Sequence, residues 1–291
     1  MSAEWTRRKG RLGKKMAALR ERVPGKLTQA VVAKRLKISE PTISRLEAGK
    51  SRPPWPTIAS LLMAYQASPE DEAEVSRLWE AARQKPITIE HGKGLSPSYL
   101  AFRRDEFDAD GEKAFNVGAI TGLLQTPGYA DALRSAAPTN IQGDEQAQRA
   151  ADERRSRQQL LEGDNPLHLH VIMGEALLRQ LVGGREVMIE QLEHLLTTGQ
   201  RDHVTIQVVP FERGAWATSP AVLLYFPDDE PPMAYLEHAG GGETVEESHD
   251  VQGLADTFDY VAEHTALPED ASADLIGSVL NELRMDEQQP N

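Results

Sequence analysis

Residues 27–49, LTQAVVAKRLKISEPTISRLEAG, constrain the fold more than any other stretch of this chain. Val32, Ala33 and Leu36 recur at helical spacing, and Ile43 and Leu46 do so again a few residues later. Two short helices with a tight turn between them are expected. Thr28 is placed to cap the first helix and Ser39 the second, each accepting a hydrogen bond from a backbone N–H that the helix leaves unpaired. Ala33 is small enough for the helices to cross closely, and Ile38 enters the core from the turn. Glu40 suits the positive end of the second helix, and Pro41 is tolerated in a first turn, where its missing N–H costs little. Gly49 ends that helix where φ is often positive. Ile43 and Leu46 then face inward, which leaves Glu40, Pro41, Thr42, Ser44 and Arg45 outside. This is the layout of a helix-turn-helix, a unit that lays its second helix in the DNA major groove.

The charge distribution points the same way. The 291 residues carry a formal net charge of −13, but residues 1–67 hold 15 Lys and Arg against 4 Asp and Glu, or +11, and the remainder holds 17 against 41, or −24. A basic module joined to an acidic body is expected to bind nucleic acid at one end. The chain has no cysteine, which rules out a disulfide, a thiol nucleophile and a cysteine-ligated zinc. No apolar run approaches the ~20 residues that span a bilayer, and the charged N-terminus lacks the apolar segment of a signal peptide. A cytoplasmic protein without a membrane partner is expected.

Residues 1–11 read as a flexible basic arm in which Arg7, Arg8, Lys9 and Arg11 either track phosphates or are simply disordered. Leu12, Met16, Leu19 and Val23 predict a first helix, Ile58, Leu61, Leu62 and Tyr65 a fourth, and Val75, Leu78, Trp79 and Ala82 a fifth. Residues 12–85 are therefore expected to form an all-α bundle of about five helices. Residues 86–96 read as a linker, with Pro86, Gly92 and Gly94 and little periodicity. Residues 97–284 predict an α+β domain with a small sheet, and residues 285–291 a polar tail. Pro127 after Thr126 marks a helix start, residues 144–162 a polar helix, and Gly184 to Thr197 another. The runs at 167–173, 204–209, 221–226 and 233–238 are strand-like, and helices are expected around Phe258 and around Val279.

The first motif resembles the phage-repressor-like (XRE) helix-turn-helix regulators. Leu27, Thr28, Gln29, Ala33, Leu36, Ile38, Ser39, Thr42, Ile43, Ser44, Arg45, Leu46, Glu47 and Gly49 carry the likeness. The turn departs from it, with Lys37 where the family usually has Gly; a left-handed residue there costs on the order of 1 kcal/mol. The resemblance implies that Gln29 meets a phosphate or base, that Glu40, Pro41, Thr42 and Arg45 meet base edges beside Ser44, and that Lys50 and Arg52 grip phosphates. It also implies a scaffold ion pair between Arg20 and Glu47.

Behind it, GLLQTPGYADAL (122–133), ERRSRQQLL (153–161), HVIMGEALLRQLVGGREVMIEQLEHLL (170–196) and VTIQVVPFERGAW (204–216) are similar to a poorly characterised domain of actinobacterial, WhiJ-type regulators. These are often encoded beside a small partner protein, in a toxin–antitoxin-like pair. The resemblance implies a transcriptional regulator that binds double-stranded DNA and docks that neighbour-encoded protein; a one-component sensor of a small-molecule effector is the alternative. A homodimer on a palindromic operator is expected, because one module alone reads a short site.

Gln125, Thr126, Tyr129 and Trp216 either line a site for a small molecule or partner peptide, or pack the domain and cap its helices. His168 and His170 share one face of a strand, but no third ligand is evident, and no metal or other cofactor is expected. HAGGGETVEE (238–247) reads as a turn or hairpin tip. Neither a phosphate-loop nor a GxSxG or HExxH pattern occurs, and no enzyme is expected.

Overall fold

The computed structural model describes residues 7–25, 27–83, 96–136, 152–214, 216, 219–227, 230–238 and 241–286. The chain divides into two compact units, residues 1–88 and 89–291. The predicted linker, 86–96, falls at this division, and all of it but Ser96 lies outside the described residues.

Unit 1 has five helices: α1 (Arg7–Arg22), α2 (Gln29–Leu36), α3 (Glu40–Glu47), α4 (Trp55–Ala64) and α5 (Pro69–Ala81). Leu12, Met16, Leu19, Val32, Ile43, Leu46, Ile58, Leu61 and Val75 close one core among them. Of the expected arm, 1–11, residues 7–11 are helical instead, because α1 already begins at Arg7, which is buried, and residues 1–6 lie outside the described residues. The last helix starts with a capping box, in which Ser68 and Asp71 satisfy each other's backbone N–H groups. Asp71 also pairs with Lys15, at 3.1 Å, and with Arg22, which ties α5 to α1.

Gly13 is where α1 meets the end of α3. A Cβ there would sit 2.5 Å from the Leu46 carbonyl oxygen and 2.7 Å from that of Glu47. Gly13→Ala is therefore expected to destabilise unit 1 by about 1–3 kcal/mol through overpacking, outweighing a helix-propensity gain of about 1 kcal/mol. Thermal unfolding checks this, and an unchanged or higher Tm would show that the helices separate freely.

Unit 2 is built on a six-stranded sheet with spatial order β3-β2-β1-β4-β5-β6. Its strands are β1 (Gly111–Asn116), β2 (His168–Gly174), β3 (Val204–Val209), β4 (Ala221–Tyr225), β5 (Met233–His238) and β6 (Gly241–Val245). Pairing is parallel across β1–β2–β3 and antiparallel across β1–β4–β5–β6, so β1 joins a parallel half to an antiparallel one. The helices are α6 (Pro97–Asp108), α7 (Pro127–Ala136), α8 (152–158), α9 (Ala176–Arg179), α10 (Arg185–Thr198), α11 (Ser248–His264) and α12 (Glu269–Asp286).

Ala114, Val171, Met173 and Val208 point to one face of the sheet and meet Tyr129, Met188, Leu192 and Val279 of α7, α10 and α12. Phe102 of α6 packs with Leu224 and Tyr235. Phe115, Ile172 and Leu223 point to the other face and meet Phe258 of α11. Helices thus cover both sides, which suits the near-continuous apolar runs of β2 and β3.

The four strand-like runs of the sequence are β2 to β5. Two strands were not among them. β1, GEKAFN, hides its signal behind Gly111 and the charged Glu112 and Lys113. β6, GGETV, takes the place of the expected turn, pairing with β5 from Ala234↔Val245 to His238↔Gly241. The predicted polar helix over 144–162 is helical at 152–158, and 137–151 lie outside the described residues. The polar tail begins later than expected, because α12 runs to Asp286.

Candidate nucleic-acid interface

Unit 1 positions α3 by burying one side of it. Ile43 and Leu46 are fully buried, while Glu40, Pro41, Ser44 and Arg45 are exposed and Thr42 is half-buried. Thr28 caps α2 by accepting from the Val31 N–H. Ser39 corrects the expectation: it occupies the N-cap of α3 without a side-chain cap bond, and its hydroxyl instead meets Thr42 Oγ1 at 2.7 Å. The turn between the helices passes through Lys37 at φ 55°, ψ 38°, the left-handed conformation that Gly would take at lower cost. Its backbone N–H reaches the Ala33 carbonyl and closes α2. The ammonium of Lys37 stays exposed, as do Lys34, Arg35 and Lys50.

Glu47 ties three helices together. Arg20 of α1 donates Nε to Glu47 Oε1 at 2.8 Å and Nη2 to Oε2 at 3.0 Å, and Gln29 of α2 donates Nε2 to Oε2 at 2.6 Å. Arg20 also reaches the Leu27 carbonyl, at 3.0 Å. The scaffold pair implied by the family likeness is therefore present, and Gln29 spends one amide N–H on it rather than holding its whole amide for DNA.

Arg45 donates Nε to the Pro41 carbonyl at 3.2 Å, and its Nη groups have no protein partner among the described residues. Arg52 differs from expectation. Its guanidinium lies 3.4 Å from the centre of the Trp79 ring, and Nε donates to the Trp79 carbonyl at 2.7 Å. Trp79 in turn donates to the Pro53 carbonyl at 2.8 Å and packs on Trp55. Arg52 thus clamps the segment after α3 to α5, with its guanidinium half-buried against Trp79. Sequence inspection misses this because the partner lies 27 residues away.

The four candidates in unit 2 do not form one site. Tyr129 is fully buried, its hydroxyl accepting from the Ile120 N–H at 3.3 Å. Thr126 is buried too, with its N–H on Gln191 Oε1 and its hydroxyl accepting from the Tyr129 N–H. Thr126 holds the 120–129 segment to α10, and Tyr129 closes that segment on itself while packing in the core, so both take the packing role. Trp216 packs on Phe115, with ring centres 5.8 Å apart, and over Gly174. Gln125 alone of the four borders a cavity of about 530 Å³.

Beside that cavity is a buried charge cluster that the sequence did not disclose. Glu106 of α6 receives Arg103 on one carboxylate oxygen and Arg157 of α8 on the other, the latter at 2.6 Å. Arg103 also donates to Glu153 at 2.5 Å. Glu112 of β1 faces the cluster with Arg157 Nη2 at 3.7 Å and no hydrogen bond to either carboxylate oxygen. Burial, then the neighbouring Glu106 charge, push the Glu112 carboxyl well above the usual carboxylate range, against the pull of Arg157. A raised folded-state value means that its contribution is fully present below the unfolded value and is lost as pH rises through the folded one. Glu112→Gln is expected to leave stability near pH 4 unchanged and to raise it at alkaline pH by about 1–3 kcal/mol or more, because the amide has no charge whose desolvation must be met. Urea titrations at several pH values check this; parallel pH profiles for the two proteins would refute it.

His170 hydrogen-bonds Gln207 Oε1 at 2.7 Å and meets the Phe258 ring edge-on, while His168 lies exposed at the strand's start. No helix among the described residues is long and apolar enough to cross a membrane.

Two family models match the chain. A helix-turn-helix domain model covers residues 11–75, from within α1 to within α5, and supports DNA binding by unit 1. A second model, described as a domain of unknown function (DUF5753), covers residues 101–278. No curated protein and no solved structure matches the chain. Because the second match takes in more than half of the 291 residues, the chain belongs to the DUF5753 family, with a helix-turn-helix domain preceding that domain.

Proposed function

We propose that this protein is a sequence-specific, DNA-binding transcriptional regulator of the phage-repressor-like type, and not an enzyme. The observation that carries this reading is the outer face of α3. Glu40, Pro41, Thr42, Ser44 and Arg45 stand on a helix fixed by its buried side, with the exposed cations Lys34, Arg35, Lys37 and Lys50 around it. Base edges meet the helix face, and phosphates meet the flanking cations. Two copies bind a palindrome with half-sites about one helical turn apart. Among the described residues the buried carboxylates of unit 2 are Asp105, Glu106, Glu112, Glu153 and Glu175, and three of them, Glu106, Glu153 and Glu175, are held in ion pairs with arginines rather than set against one another for acid–base work.

Unit 2 takes the signal that alters DNA affinity, a coupling between two sites. The surplus of acidic residues beyond residue 67 favours docking of a small basic protein encoded nearby, as in the WhiJ-type, antitoxin-like pairs that the sequence resembles. The cavity favours a small-molecule effector.

Fluorescence anisotropy on the gene's own upstream DNA against scrambled DNA, across a salt series, tests the main reading. Tighter binding to the upstream DNA is the expected result, and equal weak binding to both overturns it. Within that assay, Arg45→Ala should cost about 1–3 kcal/mol at one base pair and relax specificity there. Lys50→Ala should weaken all sequences alike and reduce the salt slope by about 1. Unchanged specificity in Arg45→Ala would remove α3 as the reading helix.

A further inference from the structure

The geometry points to a binding site for a small organic carboxylate in unit 2, in the cavity at the carboxyl end of β1. This deepens the effector reading of the regulator, but the binding claim stands apart from DNA binding and is tested without it.

The place is favourable. β1 is the strand where the parallel and antiparallel halves of the sheet meet, and Asn116 at its carboxyl end lies in the cavity wall beside Ala221, where β4 begins. Sheets bind ligands at such points, where connections diverge and leave a crevice. The volume of about 530 Å³ is that of a small-molecule site.

Charge selects the ligand. Arg103 and Arg157 are spent on Glu106 and Glu153. Arg154, the remaining arginine of the wall, is half-buried and has no hydrogen bond or ion pair among the described residues. Burial disfavours its charge, and an anion would offset that cost. One unspent guanidinium, with Glu153 and Glu237 also in the wall, suits a single carboxylate better than a phosphate dianion. Two buried oxygens of wall residues, Gln125 Oε1 and Asn116 Oδ1, have no protein partner. The Gln125 amide is fixed because its Nε2 donates to the Ile120 carbonyl at 2.6 Å. A hydroxyl or amine on the ligand would satisfy such acceptors. Tyr99, Phe102 and Tyr235 supply a flat apolar wall, the last two stacked with centres 4.4 Å apart. A flat ring bearing one carboxylate and one donor matches these features together.

The test is ligand-observed NMR and calorimetry on the full chain without DNA, using 4-hydroxybenzoate, 4-aminobenzoate and indole-3-acetate, each beside its primary amide. At least one acid should bind at least tenfold more tightly than its amide. Arg154→Met should remove that preference, Arg154→Lys should restore part of it, and Arg155→Met, at an exposed neighbouring position, should leave it intact. Ala119→Phe, which adds bulk to the cavity wall without removing a charged group, should abolish binding of acid and amide alike. Binding of no acid, equal binding of acid and amide, or an Arg154→Met protein that keeps the preference each overturns the proposal. Failure of DNA binding in the anisotropy assay would leave these outcomes unaffected and would count against the regulator reading alone.

Discussion

Replacement of Arg157 by methionine is expected to lower the stability of unit 2 by about 3–5 kcal/mol, the range for removing one partner of a buried ion pair. Glu106 is fully buried and, among the described residues, would keep Arg103 alone as an ion-pair partner. Glu112, also buried, would lose the one cation within ion-pairing distance of it among the described residues. The aliphatic part of the methionine fills space and so separates loss of charge from loss of volume. Arg157 also lies close to Gly122, where an added Cβ would sit 2.9 Å from Nη1, so the 3-10 turn at Gly122–Leu124 should loosen with it. Hydrogen exchange resolved by peptide gives the measurement. Protection should fall across β1, α6 and α8 and stay unchanged in α1 to α4. A loss below about 1 kcal/mol would mean that water or rearrangement already compensates the cluster.

Glu47→Ala should cost unit 1 about 3 kcal/mol, at the lower end of the same range because the Arg20 side chain keeps 13 % exposure. The variant removes both hydrogen bonds from Arg20 and the one from Gln29, so α1, α2 and α3 lose their shared anchor. Tyr65, whose buried hydroxyl also lies near this carboxylate, gains no partner in exchange. The effect on DNA affinity discriminates sharply. Deleting a carboxylate from a basic DNA-binding unit should strengthen binding if surface charge alone matters. If Glu47 acts by fixing α3, affinity should fall despite the added positive charge. Thermal unfolding and anisotropy on the same samples settle the sign, and tighter DNA binding with an unchanged Tm would defeat the scaffold role.

The helix-turn-helix was legible because its signals are local. Spacing placed Val32, Ala33, Ile43 and Leu46 inside, and all four are buried. Pro127 and the apolar runs of β2 to β5 were legible for the same reason. What escaped depends on distant partners. β1 lies at the centre of the sheet yet carries Glu112 inward, tolerated only because arginines from α6 and α8 converge nearby. β6 reads as a turn because its glycines signal flexibility, whereas pairing with β5 holds them extended. Arg52 reads from the sequence as a phosphate ligand alone, and its stacking on Trp79 is visible only once the distant ring is brought under it. Thr126 and Tyr129 lie in a motif whose composition fits a pocket or a core equally, and Gln191, 65 residues beyond Thr126, decides for the core.

The position of β1 also sets a timetable. Its neighbours in the sheet come later in the chain, with Gly111 pairing His168 on one side and Tyr225 on the other. At about 5–20 residues per second, the ribosome needs about 5–20 seconds between finishing β1 and finishing β4. For about the first half of that interval neither neighbour of this polar strand exists, and until its end the β4 side has none; closing such long loops is slow even once the partners exist. Unit 1 has no such wait, because its helices draw on contacts within a much shorter span of chain. On each nascent polypeptide the helix-turn-helix is therefore assembled first, seconds before the sheet behind it can form.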